Sequence, residues 1–177
     1  IVATGSRPAS IPLFDVGSNR VMNSTSALEL EDIPETLLVV GGGYIGLELG
    51  LVYAELGSRV TVVEMTDDLL PGADRDLVAP LQKRLAGIFE DIHLGTAVRK
   101  VSAEGDSVNV TMDGESGLIE RGYHRILVSI GRRPNSDNLG LQNTSVVVNE
   151  HGFIEADHQQ RTADNRIFAI GDVAGGG

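Results

Sequence analysis

The chain has 177 residues, of which 41% are apolar and 22% charged, enough for a substantial core of ordinary globular make-up. A formal net charge of −11, no tryptophan and only 4% aromatic residues argue against nucleic acid or anionic membrane surfaces as partners. There is no cysteine, which excludes disulfides, thiolate zinc sites and thiol chemistry within these residues.

The chain opens at Ile1 and closes on Gly175-Gly176-Gly177, so we expect a segment of a longer protein. No apolar run approaches the ~20 residues of a membrane span, and no targeting segment is visible. The four histidines, His93, His124, His151 and His158, are scattered without ligand spacing, and no metal site is expected. Residues 1–8 begin as the end of an apolar strand that breaks at Thr4-Gly5. Residues 9–24, rich in Ser, Pro, Asn and Gly, read as a connection. A short helix is expected over 24–30, and Pro34 separates it from the next apolar run.

That run, Leu37-Leu38-Val39-Val40, is wholly apolar, as in a strand buried on both faces of a parallel sheet. It ends in Gly41-Gly42-Gly43-Tyr44-Ile45-Gly46, a G-x-G-x-x-G turn. A helix is expected from Tyr44 to about Leu56, capped by Gly57. Its apolar residues nearly surround it, which suits a helix packed between a sheet and another layer. Gly41 permits the tight turn, Gly43 leaves room for a pyrophosphate to approach the backbone, and Gly46 and Gly50 let the helix lie close to the sheet. The unpaired amides at the helix start and the positive end of its dipole favour an anion there.

A second β-branched run, Val60-Thr61-Val62-Val63, ends in Glu64, 18 residues past Gly46. A carboxylate at that point can accept from both hydroxyls of an adenosine ribose and would repel a 2′-phosphate. Met65-Thr66-Asp67-Asp68 supplies no cation. The pattern therefore predicts a dinucleotide site with NAD favoured over NADP. Glu64→Ala with arginines at Met65 and Thr66 is expected to move preference towards NADPH.

Beyond Pro71-Gly72, a helix is expected from Asp74, as N-cap, to about Leu85. Pro80 should kink it or shift its start. Ile88 to Leu94 offers a third strand. From 97 to 121 the period changes to two, with Glu104-Gly105-Asp106 and Asp113-Gly114 as hairpin signals, so an antiparallel meander is expected. Arg125 to Ile130 is again a buried strand, broken by Gly131-Arg132-Arg133-Pro134. Short strands are expected at 146–148 and 152–154, and a last one over 166–170, halted at Gly171-Asp172. The fold class implied is α/β: a Rossmann-like three-layer domain with a central parallel sheet and an inserted antiparallel β-meander.

Four blocks carry a resemblance: Val2-Ala3-Thr4-Gly5-Ser6-Arg7-Pro8, Gly41 to Gly50, Val128-Ser129-Ile130-Gly131-Arg132-Arg133-Pro134-Asn135, and Ile167-Phe168-Ala169-Ile170-Gly171-Asp172-Val173. In this order and spacing the chain resembles the pyridine-nucleotide:disulfide oxidoreductases. The run from Leu56 to Met65, with Gly72-Ala73-Asp74-Arg75-Asp76, is similar to the lipoamide branch, the dihydrolipoamide dehydrogenases.

The resemblance implies an NAD-binding domain over 9–133, with 1–8 and 134–177 as flanking pieces of an FAD-binding portion. It implies NAD contacts at Gly41, Gly43, Tyr44, Ile45, Gly46, Glu48, Glu64, Gly131 and Arg132. Tyr44 would cover the nicotinamide pocket and Glu48 would lie beside it. It implies FAD contacts in the parent at Thr4, Gly5, Gly171 and Asp172.

The flavin domain's own Gly-rich turn, the redox Cys-x4-Cys and the His-Glu pair of the interface domain are all missing. No catalytic residue is therefore expected within the chain, and FAD should not be retained by it. The parent would oxidise dihydrolipoamide and pass hydride from FAD to NAD⁺. It would act as a homodimer associated with 2-oxo acid dehydrogenase complexes, in a bacterial cytoplasm or alternatively a mitochondrial matrix. The alternatives are another flavin disulfide reductase, such as mercuric or glutathione reductase, or a stand-alone NAD-binding module. Glu64 argues against the NADPH-dependent enzymes, and Gly171-Asp172 against the module.

Overall fold

Leu37 to Val40 are all buried, which is the environment that a run without polar side chains requires. They form the middle of the central sheet in the computed structural model, which describes residues 1–115 and 117–175. Gly176 and Gly177, the end of the terminal glycine run, lie outside the described residues. The elements are β1 (Ser6–Pro8), β2 (Val21–Asn23), α1 (Ser24–Ala27), β3 (Thr36–Val40), α2 (Tyr44–Glu55), β4 (Arg59–Val63), α3 (Arg75–Leu85), β5 (Asp91–His93), β6 (Ala97–Glu104), β7 (Ser107–Gly114), β8 (Gly117–Tyr123), β9 (Arg125–Val128) and β10 (Arg132–Pro134). Short 3₁₀ turns occur at Pro12–Phe14, Leu141–Asn143 and Gly171–Val173. The chain divides into two compact units, residues 10–131 and residues 1–9 with 132–177.

In the first unit, five strands pair in the order β2-β9-β3-β4-β5, all parallel. From β3 the chain builds outward through β4 and β5, then returns to the opposite side of β3 as β9. The β3–β9 boundary is thus a topological switch point, where ligands bind at the carboxyl ends of such strands. One sheet face carries Leu37, Val39, Val60, Val62 and Leu127 against Leu47 and Tyr53 of α2, Val78 and Leu85 of α3, and Phe89. The other carries Leu38, Val40, Val63, Ile126 and Val128 against Val101, Val108, Val110, Met112 and Tyr123 of the antiparallel β6-β7-β8 meander. Helices, parallel sheet and meander are the three layers that the sequence pattern predicts.

The helix α2 buries Gly46, Leu47, Gly50 and Tyr53, while Val52 and Leu56 are half-exposed. Its all-round apolar character therefore overstates its burial: small residues let only one stripe sink onto the sheet. Tyr53 donates from its hydroxyl to the carbonyl of Ala27 at 2.8 Å, which ties α1 to α2 within the same core. At its end Ser58 N–H bonds Tyr53 O and Gly57 N–H bonds Ala54 O, a Schellman stop with Gly57 at positive φ. The helix α3 starts after Asp74, whose side chain makes no cap bond, and runs unbroken through Pro80. Pro80 therefore does not shift the helix start.

Four expectations need correction. Residues 9–24 are not only a connection, because Val21–Asn23 adds the edge strand β2 beside β9. Residues 131–134 are not only a break, because Arg132–Pro134 pairs antiparallel with Ser6–Pro8. The run 166–170 forms isolated bridges, Val2 with Ala169 and Arg161 with Phe168, rather than a strand, since it is met by single residues and not by a ladder. The pair at 146–154 is likewise one bridge, Val148 with Ile154. Strands of three residues show no usable period, so distant pairing alone decides them.

In the second unit Ile154, Ala169 and Val173 form a small core with Val2, Leu141 and Val146 packed on it. Its loop at 162–167 is held by Asp164, whose carboxylate accepts from Arg166 Nε at 3.0 Å and from the far guanidinium nitrogen at 2.8 Å. Those side-chain bonds, with the Arg166 amide, lower the Asp164 pKa from its ordinary 3.8 to about 2. A depressed carboxylate stabilises the fold above its unfolded pKa, and that contribution is lost as pH falls through the folded one. The loop should therefore stay tied at pH 4 and loosen towards pH 2. A carbon-detected NMR titration of Asp164 should show its midpoint near pH 2, and Arg166→Ala should return it towards 3.8.

Candidate functional site

The registers of the central sheet bring three strand ends to one level. Val40 pairs with Val63 on one side and with Val128 on the other. Gly41, Glu64 and Ser129, the next residue on each strand, are therefore neighbours although far apart in sequence. Gly41 N–H donates to Val63 O and Ser129 N–H to Val40 O, both at 2.8 Å, so the pairing continues one residue past the strands.

The glycines there do different work. Gly41 has φ +107°, and a Cβ on it would lie 2.5 Å from Ser129 O. A Cβ on Gly46 would collide with Gly41 O and Ser129 Oγ, with Val39 at 3.1 Å behind them. Both positions are closed by packing of helix against strand. Gly43 is the opposite case, since a Cβ there would meet nothing within 4 Å. Its φ of −77° is open to any residue, so its lack of a side chain serves neither packing nor conformation. Gly43 caps α2 without a side chain, and among the described residues no protein acceptor meets the N–H groups of Gly43, Tyr44, Ile45 or Gly46. Unpaired amides at the positive end of a twelve-residue helix, in front of open space, can take an anion.

Glu64 lies beside this turn and is 9% exposed. Its Oε2 accepts from Gly42 N–H at 2.6 Å, and its Oε1 from the N–H and the hydroxyl of Thr66, both at 2.8 Å. This bears on the expectation that Glu64 accepts from both hydroxyls of a ribose. Protein donors already hold the carboxylate, and the free lone pair that remains is on Oε2. Tyr44 and Glu48, four residues apart on one helix face, are both exposed, and Ile45 is half-buried. Gly131, three residues past β9, has φ +120° with open space where a Cβ would stand.

Arg132 follows Gly131 directly in the chain. It belongs to the second unit, where its Nε donates to Ser6 Oγ at 2.6 Å and its guanidinium also donates to Ser6 O at 2.7 Å. Ser6 Oγ in turn donates to Asp172 Oδ2 at 2.6 Å. These bonds place the Thr4-Gly5 turn next to Gly171-Asp172, a juxtaposition reinforced by Ile170 N–H to Val2 O at 2.9 Å. Thr4 Oγ1 donates to Asn135 O at 2.7 Å, which also anchors the segment after β10.

Two residues escape a reading by sequence. Ser129 donates from Oγ to Val40 O at 3.0 Å and pins the start of the glycine turn from across the sheet. Thr66 orients Glu64 from two positions downstream. Ser129 falls in a block that carries the family resemblance, but nothing local to it points to Gly41. Among the described residues no cluster of His, Asp or Glu could hold a metal ion, and no helix is long and apolar enough to cross a membrane.

Fold and turn together define a Rossmann-type α/β protein with an anion-accepting helix start and an acid at the next strand end. The family profile "Pyridine nucleotide-disulphide oxidoreductase" matches residues 1–177. The chain belongs to that family. It is 45% identical over 176 residues to the dihydrolipoyl dehydrogenase of Vibrio parahaemolyticus and 43% over 176 to dihydrolipoyl dehydrogenase 2 of Haloarcula marismortui, in each case over 99% of this chain and 37% of the relative. Among solved structures it is similar to the HOCl-induced flavoprotein disulfide reductase RclA from Escherichia coli (TM-score 0.86, 32% identity, 98% of this chain and 39% of that one). It is also similar to LpdA from Mycobacterium tuberculosis (TM-score 0.87, 31% identity, 98% and 37%). The chain spans little more than a third of the length of the curated relatives it matches.

Proposed function

We propose that residues 10–131 are the NAD(H)-binding region of a dihydrolipoamide dehydrogenase. Residues 1–9 and 132–177 would then be pieces of its FAD-binding portion. The observation that carries this reading is the pairing of unmet amides at Gly43 to Gly46 with open space over Gly43, beside a buried carboxylate at Glu64. Those amides would bind the diphosphate, and Glu64 would accept from the adenosine ribose. Tyr44, Ile45, Glu48 and Gly131 would line the same dinucleotide. When bound, the nicotinamide ring supplies the hydride-accepting chemistry of the parent.

Thr4, Gly5, Gly171 and Asp172 would face FAD in the parent. Asp172 is held by Ser6 and Arg132, so Arg132 would orient that carboxylate rather than contact NAD. The chain carries no cysteine, so thiol–disulfide exchange must come from other parts of the parent. The same reading makes the parent a homodimer of the cytoplasm that serves 2-oxo acid dehydrogenase complexes.

A fluorescence titration of the chain with NADH and NADPH tests the site. NADH should bind and NADPH should bind far more weakly. Gly43→Val should abolish NADH binding while thermal unfolding stays within a few degrees of wild type, since its side chain enters open space where the diphosphate would lie. Equal binding of NADH by wild type and Gly43→Val would remove the assignment.

A further inference from the structure

The groups that hold Glu64 are unequal, and that inequality points to a residue outside the dinucleotide pattern. Oε2 has one protein donor, the Gly42 amide, while Oε1 has two, both from Thr66. The Thr66 hydroxyl has one proton and two acceptors in reach, Glu64 Oε1 at 2.8 Å and Asp68 O at 3.0 Å. A charged carboxylate at the shorter distance outcompetes a neutral carbonyl. Oε1 is thereby filled, and the carboxylate is held from both ends, by the Gly42 amide on Oε2 and by Thr66 on Oε1. Only Oε2 is left to meet a sugar hydroxyl. Thr66 itself is exposed and packs in no core cluster, so its hydroxyl has no evident structural duty apart from this loop.

We propose that Thr66 is a positioning residue for cofactor choice. Its hydroxyl fixes the Glu64 carboxylate so that one oxygen meets the adenosine ribose and its charge faces the place of a 2′-phosphate. This rests on the dinucleotide reading given above. Loss of the hydroxyl leaves Oε1 with the Thr66 amide alone, so the carboxylate is held less firmly and a free lone pair is no longer confined to Oε2. NADH then binds less well and NADPH is less strongly repelled.

The test is a titration of the 177-residue chain with NADH and NADPH, for wild type, Thr66→Val and Thr66→Ser. Valine keeps the β-branched shape and the backbone amide but has no hydroxyl. Thr66→Val should weaken NADH about fivefold, less than the full effect of a lost hydrogen bond to a charged group, because the bond removed orients Glu64 and does not touch the dinucleotide. It should narrow the NADH-to-NADPH ratio by about tenfold, by the same loss combined with weaker repulsion. Thr66→Ser should restore both, and all three proteins should melt together. Uniform weakening of both dinucleotides at a constant ratio, or no rescue by serine, would overturn the proposal. Wild type binding neither dinucleotide would overturn the site reading and this inference with it. Normal wild-type binding with an unchanged Thr66→Val would overturn this inference alone.

Discussion

Gly46→Ala should unfold the dinucleotide unit at a temperature roughly 10 °C below wild type, the shift that about 3 kcal/mol implies for a unit of this size. The added methyl group meets a backbone oxygen, Gly41 O, together with Ser129 Oγ. Neither can retreat cheaply. Gly41 is bound through its amide to Val63 O, and Ser129 through both amide and hydroxyl to Val40 O. The helix would have to lift from the sheet, opening the contact of Gly50 with Phe89 and Val39 one turn further on. Overpacked sites of this kind cost about 1–3 kcal/mol, and the upper end applies where the obstacle is main chain. Thermal unfolding followed by circular dichroism measures it. A melting temperature within two degrees of wild type would show that helix and strand are not packed as closely as described. The comparison with Gly43, where a side chain should move the melting temperature by no more than a few degrees, separates a glycine kept for packing from one kept for a ligand.

The second large effect concerns Glu64. Glu64→Gln combined with Met65→Arg should reverse dinucleotide preference, moving the NADPH-to-NADH affinity ratio by about a hundredfold or more. Removing the carboxylate removes repulsion of a phosphate dianion, and Met65, 73% exposed, can present a guanidinium to it. A charge-assisted pair contributes about 1.5–3 kcal/mol, and each 1.4 kcal/mol is tenfold in affinity. Glutamine is the better replacement because its carbonyl can still accept from the buried Gly42 amide, so that only the amide of exposed Thr66 loses its acceptor. Glu64→Ala leaves that amide unmet, at a cost of about 1–3 kcal/mol in stability. Arginine at Thr66 is also the poorer choice, because that hydroxyl ties the loop to Asp68 O once Glu64 is neutral. Parallel titrations with the two reduced dinucleotides decide the matter. An unchanged ratio in the Gln-Arg variant would mean that Glu64 does not face the ribose.

Both predictions draw on features of different legibility. The apolar runs at 37–40, 60–63 and 125–128, the glycine turn, the Gly57 stop and the meander could be read in order along the chain. Each is a local pattern, set by side-chain period or by a residue type that a turn demands. From these alone the parallel sheet, its two covering layers and the position of an anion site follow. The strands at 21–23 and 132–134 could not be read in this way, since three residues carry no period and form only when a distant edge accepts them.

The same limit governs the site. That Gly41, Gly46 and Glu64 belong together was evident from their spacing. Which donors hold Glu64, that Ser129 pins the turn from another strand, and that Arg132 serves Ser6 and Asp172 were decided by the fold. A hydrogen bond needs two groups within about 3 Å in a fixed orientation, and chain order constrains that only for near neighbours. Sequence by itself therefore determined the periodic elements and the place of the glycine turn on which the proposed ligand rests. Only the tertiary structure decided which side chains are free to meet it, because register across the sheet sets those distances.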